Sequence, residues 1–227
     1  MTGGPMTSAQ RVFTTMEHRE PDRVPQFLAT TLTGARELGL SIREYFDRPE
    51  HVVEGQLRMQ RKYRNDCYLG FLYSPLEVEA FGGEVIFVDD GPPNSGEPVV
   101  RDVERIRDLQ PPDPHENRAL RRTLDVIDGL RAHGDPGVPI LGVVISPFSL
   151  PVMQLGFPAY LDLLHERPDL VHHLLAVNEE FCVAWGNAQF AAGVTALTYF
   201  DPLASPTNVT PAMYRELGKP VARRVLS

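Results

Sequence analysis

Two apolar runs, Pro139 to Ser146 and Val194 to Phe200, flank a long stretch whose apolar residues recur at helical spacing. No other feature of the chain restricts its fold as much. Each run is apolar on both faces of an extended backbone, the pattern of a strand buried in a parallel sheet. Parallel neighbours cannot be joined by a tight turn; they need a crossover of a dozen or more residues, and that crossover is right-handed. The intervening stretch supplies it. After Pro147-Phe148-Ser149-Leu150 and a short helix near Pro158 to His165, a long helix starts at Pro168. It carries Val171, Leu174, Leu175, Phe181, Cys182, Trp185 and Ala188 on its apolar stripe and stops at Gly193.

The same alternation is read upstream. Ser8 to His18 is a helix opening on a Ser cap and closed by the Pro21-Asp22-Arg23 turn, so residues 1–20 form a helical extension. Val24 to Thr30 reads as a buried strand, Ser41 to Phe46 and Pro49 to Tyr63 as helices, and Asp66 to Ser74 as a second buried strand. Leu76 to Phe81 is a short helix ended by Gly82-Gly83. Glu84 to Val88 alternates acidic and apolar residues and pairs, across Gly91-Pro92-Pro93-Asn94, with a return strand near Pro98 to Val100 as a small β-hairpin. Asp102 to Leu109 is helical or a single turn. Leu120, Leu124, Ile127 and Leu130 mark a helix over Glu116 to His133, with Gly134 placed for a left-handed cap, and Pro211 to Leu226 is the last helix. The 21 prolines punctuate these short units. After the first strand, where a doubly wound sheet carries a Gly-rich phosphate turn, the chain reads Ala29-Thr30-Thr31-Leu32-Thr33, so a barrel is favoured. The expected fold is α/β: a partial (β/α)8 TIM-type barrel with about four parallel core strands plus the hairpin, one domain over residues 1–227.

Charge and cysteine usage limit the partners. Twenty-two Lys and Arg against 30 Asp and Glu leave a net charge of -8, which repels a phosphate backbone, so no nucleic acid is expected. No stretch approaches the roughly 18 apolar residues of a membrane span. Met1 to Ser8 has no basic region followed by an apolar one, so the expected location is cytoplasmic. Cys67 and Cys182 are far apart and read as reduced core residues, with no zinc spacing to any His. His172 and His173 are adjacent on a helix and diverge by about 100°, so they cannot share a metal. No Gly-x-Ser-x-Gly elbow is present.

Four segments in order resemble the superfamily that joins uroporphyrinogen decarboxylase to the methyltransferases acting on methylated corrinoid proteins. They are Pro21-Asp22-Arg23-Val24-Pro25; Glu79-Ala80-Phe81-Gly82; Gly142 through Pro147-Phe148-Ser149-Leu150; and Gln189-Phe190-Ala191-Ala192-Gly193 leading into Phe200-Asp201-Pro202-Leu203-Ala204-Ser205. The resemblance implies an eight-unit barrel with its chemistry at the carboxyl ends of the strands. Only four core strands are read before Ser227, so the resemblance also implies that the second half of the barrel, which carries the His-x-Cys and later Cys zinc ligands of the methyltransferase branch, is missing. Zinc is therefore expected only if that half is supplied, and no cofactor or metal is expected in this chain.

The resemblance also assigns roles. The decarboxylases hold porphyrinogen carboxylates with two arginines in an Arg-Gln-Ala-Gly-Arg pattern; the matching stretch here is Leu32-Thr33-Gly34-Ala35-Arg36, so only Arg36 remains for substrate binding. They place an Asp at the end of the second strand, where this chain has Tyr73, beside Ser74 and Pro75; Glu77 and Glu79 read as solvated. Tyr73 and Asp201 are the catalytic candidates, with Ser146, Phe148, Ser149 and Ser205 as further substrate-binding candidates. Parallel strands end on one edge, so Tyr73, Ser146, Ser149 and Asp201 are expected to share a cleft there, with Arg36 near its rim. The reading is a superfamily member closest to the branch that moves methyl groups from methyl-corrinoid proteins to a thiol, inactive alone. Alternatives are a uroporphyrinogen decarboxylase and a non-catalytic subunit or truncated binding module. Expected partners are a small-molecule or corrinoid-protein substrate, and either further copies of the chain or a complementary barrel half.

Overall fold

The computed structural model describes residues 5–27 and 31–227. Helix α1 (Ser8–Met16) is capped by Thr7, one residue before the expected Ser8: the Thr7 hydroxyl accepts the Gln10 N–H and the Gln10 side chain accepts the Thr7 N–H. From α1 the buried Arg11 reaches Asp22 and Asp66, each at 2.6 Å. Asp66 also accepts from the Arg23 guanidinium, the Ser8 hydroxyl and the Gln26 N–H. Asp22 and Arg23 of the Pro21-Asp22-Arg23-Val24-Pro25 motif therefore serve a carboxylate that is 1% exposed. Burial alone would push the Asp66 pKa up, but the Gln26, Arg23, Ser8 and Arg11 hydrogen bonds prevail and hold it below the usual range.

The buried strand expected at Val24 to Thr30 does not form over its described part. Val24 is 80% exposed, Phe27 is exposed and no ladder runs through residues 24–27; residues 28–30 lie outside the described residues. Arg23 and the Gln26 N–H are committed to Asp66, the Gln26 carbonyl accepts the Asp66 N–H, and Pro25 has no N–H to give. One carboxylate holds this segment in place of a ladder.

Helices α2 (Thr33–Leu38), α3 (Ile42–Asp47) and α4 (Pro49–Tyr63) follow, the first of them in a stretch to which the sequence pattern assigns no element. Strand β1 (Tyr68–Leu69) leads to α5 (Leu76–Ala80) and the hairpin of β2 (Val85–Ile86) and β3 (Asn94–Ser95). The return strand is thus earlier than the expected Pro98 to Val100, because Val100 is buried elsewhere and gives its N–H to Gln154. A 3₁₀ turn (Val103–Asp108) precedes α6 (Arg118–His133), which the Asn117 side chain caps. Gly134 is extended (φ -80°, ψ 170°) and not left-handed; glycine is needed because a Cβ there would meet the Leu130 carbonyl at 2.5 Å and the Tyr68 ring at 2.8 Å.

Strand β4 (Ile140–Ile145) is followed by α7 (Pro151–Leu155), α8 (Phe157–Glu166) and α9 (Pro168–Ala192), which stops at Gly193 as expected, with Gly193 at φ 119°. Strand β5 (Ala196–Phe200), α10 (Pro211–Met213), a π-helical turn (Tyr214–Gly218) and α11 (Lys219–Val225) complete the chain. The main sheet is parallel in the order β1-β4-β5. Among the described residues it has three core strands, one fewer than expected, because residues 24–27 join no sheet. Ile140, Gly142 and Val144 are buried on one face of β4, whereas Leu141 and Val143 on the other face are half-buried. No described helix is long and apolar enough to cross a membrane.

Candidate active site

The ends of β4 and β5 lie side by side, and the Ser146 N–H extends their ladder to the Phe200 carbonyl at 2.8 Å. Register therefore brings the two exit loops together. The Ser146 and Ser149 hydroxyls each donate to Asp201 Oδ1 at 2.6 Å. In turn Ser146 Oγ accepts the Ser149 N–H at 2.9 Å and Ser149 Oγ accepts the Leu203 N–H at 3.0 Å. Both serine protons are spent, and the two loops are clamped through one carboxylate oxygen. The other oxygen, Asp201 Oδ2, is buried without a partner, as are the Tyr160 and Tyr199 hydroxyls. Burial first, and the Asp201 charge second, push both phenols above their ordinary pKa, so they stay protonated.

A hollow of about 220 Å³ opens at this edge. Ile145, Val152, Met153, Phe200 and Leu203 make it apolar, and its polar groups come from Ser74, Ser149 and Asn208. Asp201 stands behind the Ser149 wall. Larger hollows lie elsewhere: one between α9 and β5 at the α11 end of the chain, one between α4 and α6, and one beside α2. None of them is lined by Ser146, Ser149 or Asp201.

The expected cleft is thus assembled in part. Ser146, Ser149 and Asp201 meet, but Tyr73 does not join them. Its hydroxyl donates to Glu79 at 2.6 Å and accepts from Arg122 at 2.6 Å, and its ring packs against Phe46 and Phe87. The neighbouring Ser74 lines the hollow instead: it is exposed in the turn that leads into α5, where the Leu76 N–H bonds the Tyr73 carbonyl at 3.2 Å. Arg36 sits in a different hollow with Asp89 and Asp90. Phe148 is fully buried, edge-on to Tyr160 and Tyr214, and serves as packing. Ser205 bonds locally to Thr207.

A model of the uroporphyrinogen decarboxylase (URO-D) family matches residues 7–227. The chain belongs to the URO-D family. A uroporphyrinogen decarboxylase of Xanthomonas campestris pv. campestris is 29% identical over 208 residues, 89% of this chain and 56% of that protein. One from Azoarcus sp. (strain BH72) is 29% identical over 179 residues, 75% of this chain and 49% of that protein. The chain spans about half the length of the curated relatives it matches. A solved methyltransferase from Methanosarcina mazei superposes with a TM-score of 0.85 at 20% identity, covering 97% of this chain and 66% of that one. That likeness shows the fold, a partial TIM-type arrangement in which the described strands form an open sheet.

Within the URO-D family frame, several residues of this edge were not legible as site or support groups. Glu77, read as solvated, is 3% exposed: one oxygen accepts the Ile145 N–H at 3.0 Å, the other has no partner, and burial raises its pKa to about 8. Its position directly before an apolar Val78 in a short helix beside a buried strand was the available signal. Glu79 pairs with Arg122 at 2.8 Å. The zinc implied by the methyltransferase branch does not fit the residues present. Among the described residues no three His, Cys, Asp or Glu side chains converge, and burial raises both thiols, Cys67 to about 12. No step is routed through a metal here.

Proposed function

We propose that this chain is the substrate-holding portion of an enzyme in the methyltransferase branch of the URO-D superfamily, the branch that carries a methyl group from a methylated corrinoid protein to a thiol. The surroundings of Arg36 carry this reading. It shares its hollow with Asp89 and Asp90, and no other guanidinium lines that hollow. A porphyrinogen with many carboxylates needs convergent cations, and two aspartates beside the single Arg repel it. Tyr73 weighs the same way: burial first, and its bond to Glu79 second, raise its pKa, so it offers no anion where the decarboxylases place one. The methyltransferase named above supports the branch by fold alone. The names of the curated relatives favour the second reading, uroporphyrinogen decarboxylation.

In the proposed role Ser146, Ser149 and Asp201 fix the two exit loops and so shape the hollow against which a small substrate or the corrinoid protein is placed. Neither thiol of the chain is placed to act as nucleophile, because both are buried and protonated. This portion therefore holds substrate in the proposed reaction and does not itself supply the attacking thiolate. The test compares uroporphyrin I with methylcobalamin as ligands, alongside an assay for decarboxylated porphyrins from uroporphyrinogen I. Tighter binding of methylcobalamin and no decarboxylated product are expected. Chain-dependent decarboxylation, or tighter binding of uroporphyrin I, would overturn the proposal.

A further inference from the structure

We infer that the hollow at the carboxyl edge of β4 and β5 binds a small neutral molecule with an apolar body and one hydrogen-bonding group, recognised by the Ser74 hydroxyl and the Asn208 amide oxygen. The inference rests on the proposal that this edge is the binding side of the chain. At about 220 Å³ the hollow is smaller than the roughly 300–1,000 Å³ that encloses a drug-sized ligand, so its occupant is small. None of the side chains that line it is titratable.

Its polar groups can be counted. Ser149 gives its only proton to Asp201 and accepts the Leu203 N–H, so it has no donor for a ligand. Asn208 donates one Nδ2 proton to the Pro202 carbonyl at 3.1 Å, which leaves its amide oxygen as an acceptor and its second Nδ2 proton as a donor. Ser74 is exposed and supplies a hydroxyl that both donates and accepts. An anion entering here would lose hydration with no cation to replace it, and Asp201 would face it from behind Ser149. A cation reaches no carboxylate oxygen from the hollow, because Asp201 is not part of its lining: Oδ1 already accepts two hydroxyl protons, and Oδ2, though unpartnered, is buried. A neutral ligand that donates to the Asn208 amide oxygen and exchanges a hydrogen bond with Ser74 meets both groups, and the remaining Asn208 N–H belongs to a half-exposed residue.

Benzyl alcohol, benzoate and benzylammonium share one apolar body and differ in charge, which makes them suitable probes. Each is titrated into the chain carrying ¹³C-labelled methyl groups, and the Met153 and Leu203 methyl signals are followed. Benzyl alcohol is expected to shift both at a concentration at least about tenfold lower than either ion requires. Ser74→Ala and Asn208→Ala are each expected to weaken it about fivefold, the worth of one neutral hydrogen bond. Benzyl alcohol leaving both methyl groups unmoved, or either ion shifting them at an equal or lower concentration, would overturn the inference. The unmodified chain decides the charge preference whether or not the variants fold. Because the titrations read no turnover, porphyrin decarboxylation would remove the branch assignment and leave the preference of the hollow to these probes.

Discussion

The side-chain amide of Gln189 pairs with both backbone groups of Val143, donating to its carbonyl at 3.0 Å and accepting its N–H at 3.3 Å. The β1 side of the ladder reaches only Leu141, through the Gly70 N–H. Beyond it β4 is served by side chains, first Gln189 and then Glu77. Gly142 makes this possible, since a Cβ there would collide with the Gln189 amide oxygen. Gln189→Leu strands two backbone groups at a fully buried position and is expected to cost about 2–4 kcal/mol, read by urea denaturation. A loss under about 0.5 kcal/mol would show that the amide is incidental.

Glu77 gives the fold a pH dependence of unusual sign. Its folded pKa of about 8 lies above the ordinary carboxyl value near 4.3, so the folded chain keeps a proton that the unfolded chain releases. This contribution is whole below about pH 4.3 and is lost as pH rises through 8. Glu77→Gln keeps the acceptor for the Ile145 N–H and removes the titration. Melting temperature of the native chain is expected to fall between pH 5 and 8 relative to that variant; parallel profiles would contradict the assignment.

The N-terminal network has the opposite sign. The Arg11 guanidinium beside Asp22 holds that carboxyl at about 2, and Asp66 is lowered as well. Stability from these groups is complete above the unfolded pKa near 3.9 and is lost as pH falls toward 2. Acid is expected to release the α1 segment first, seen as lower hydrogen-exchange protection factors, each taken against the intrinsic rate at that pH, in residues 8–16 at pH 2.5 than at pH 5. Uniform loss of protection along the chain would show that α1 is not a separate unit.

How far the sequence could be read follows from what each feature depends on. β4, α9 and β5 were legible because periodicity and length are local, and the meeting of Ser146, Ser149 and Asp201 followed from parallel strands ending on one edge. Tyr73 was misplaced by a single residue: in the turn between β1 and α5 the Arg122–Glu79 pair, 49 and 6 residues away from Tyr73, holds its hydroxyl, and the exposed Ser74 faces the hollow. Glu77 was read from its charge, whereas its burial depends on the Ile145 N–H, 68 residues away. Val24 to Thr30 has the composition of a strand, but Asp66, which holds this segment, is invisible to any local pattern.

The clamp on Asp201 is open to mutation. Asp201→Ala removes the acceptor shared by Ser146 and Ser149 and is expected to cost about 2–4 kcal/mol while freeing residues 201–205 for proteolysis. Asp201→Asn retains an acceptor oxygen and should lose less. Equal losses in the two variants would indicate that the charge, and not the hydrogen-bonded geometry, holds the loops.

The open edge of the sheet decides how the chain behaves in solution. Among the described residues β5 is hydrogen-bonded to β4 alone, so its outer backbone groups are unpaired within the described sheet. Phe200 on it is 47% exposed, Thr198 is exposed, and the run Val194 to Phe200 contains no Lys to oppose pairing with another strand. Unpaired apolar edges recruit other strands. The chain is therefore expected to self-associate, giving a light-scattering mass above the 25.4 kDa of one copy that rises with concentration. Thr198→Lys places a charge on this edge without touching the core and should return the mass toward a single chain. A native chain that stays at 25.4 kDa across the concentration range, with a cooperative thermal transition, would show that the edge is protected in some other way.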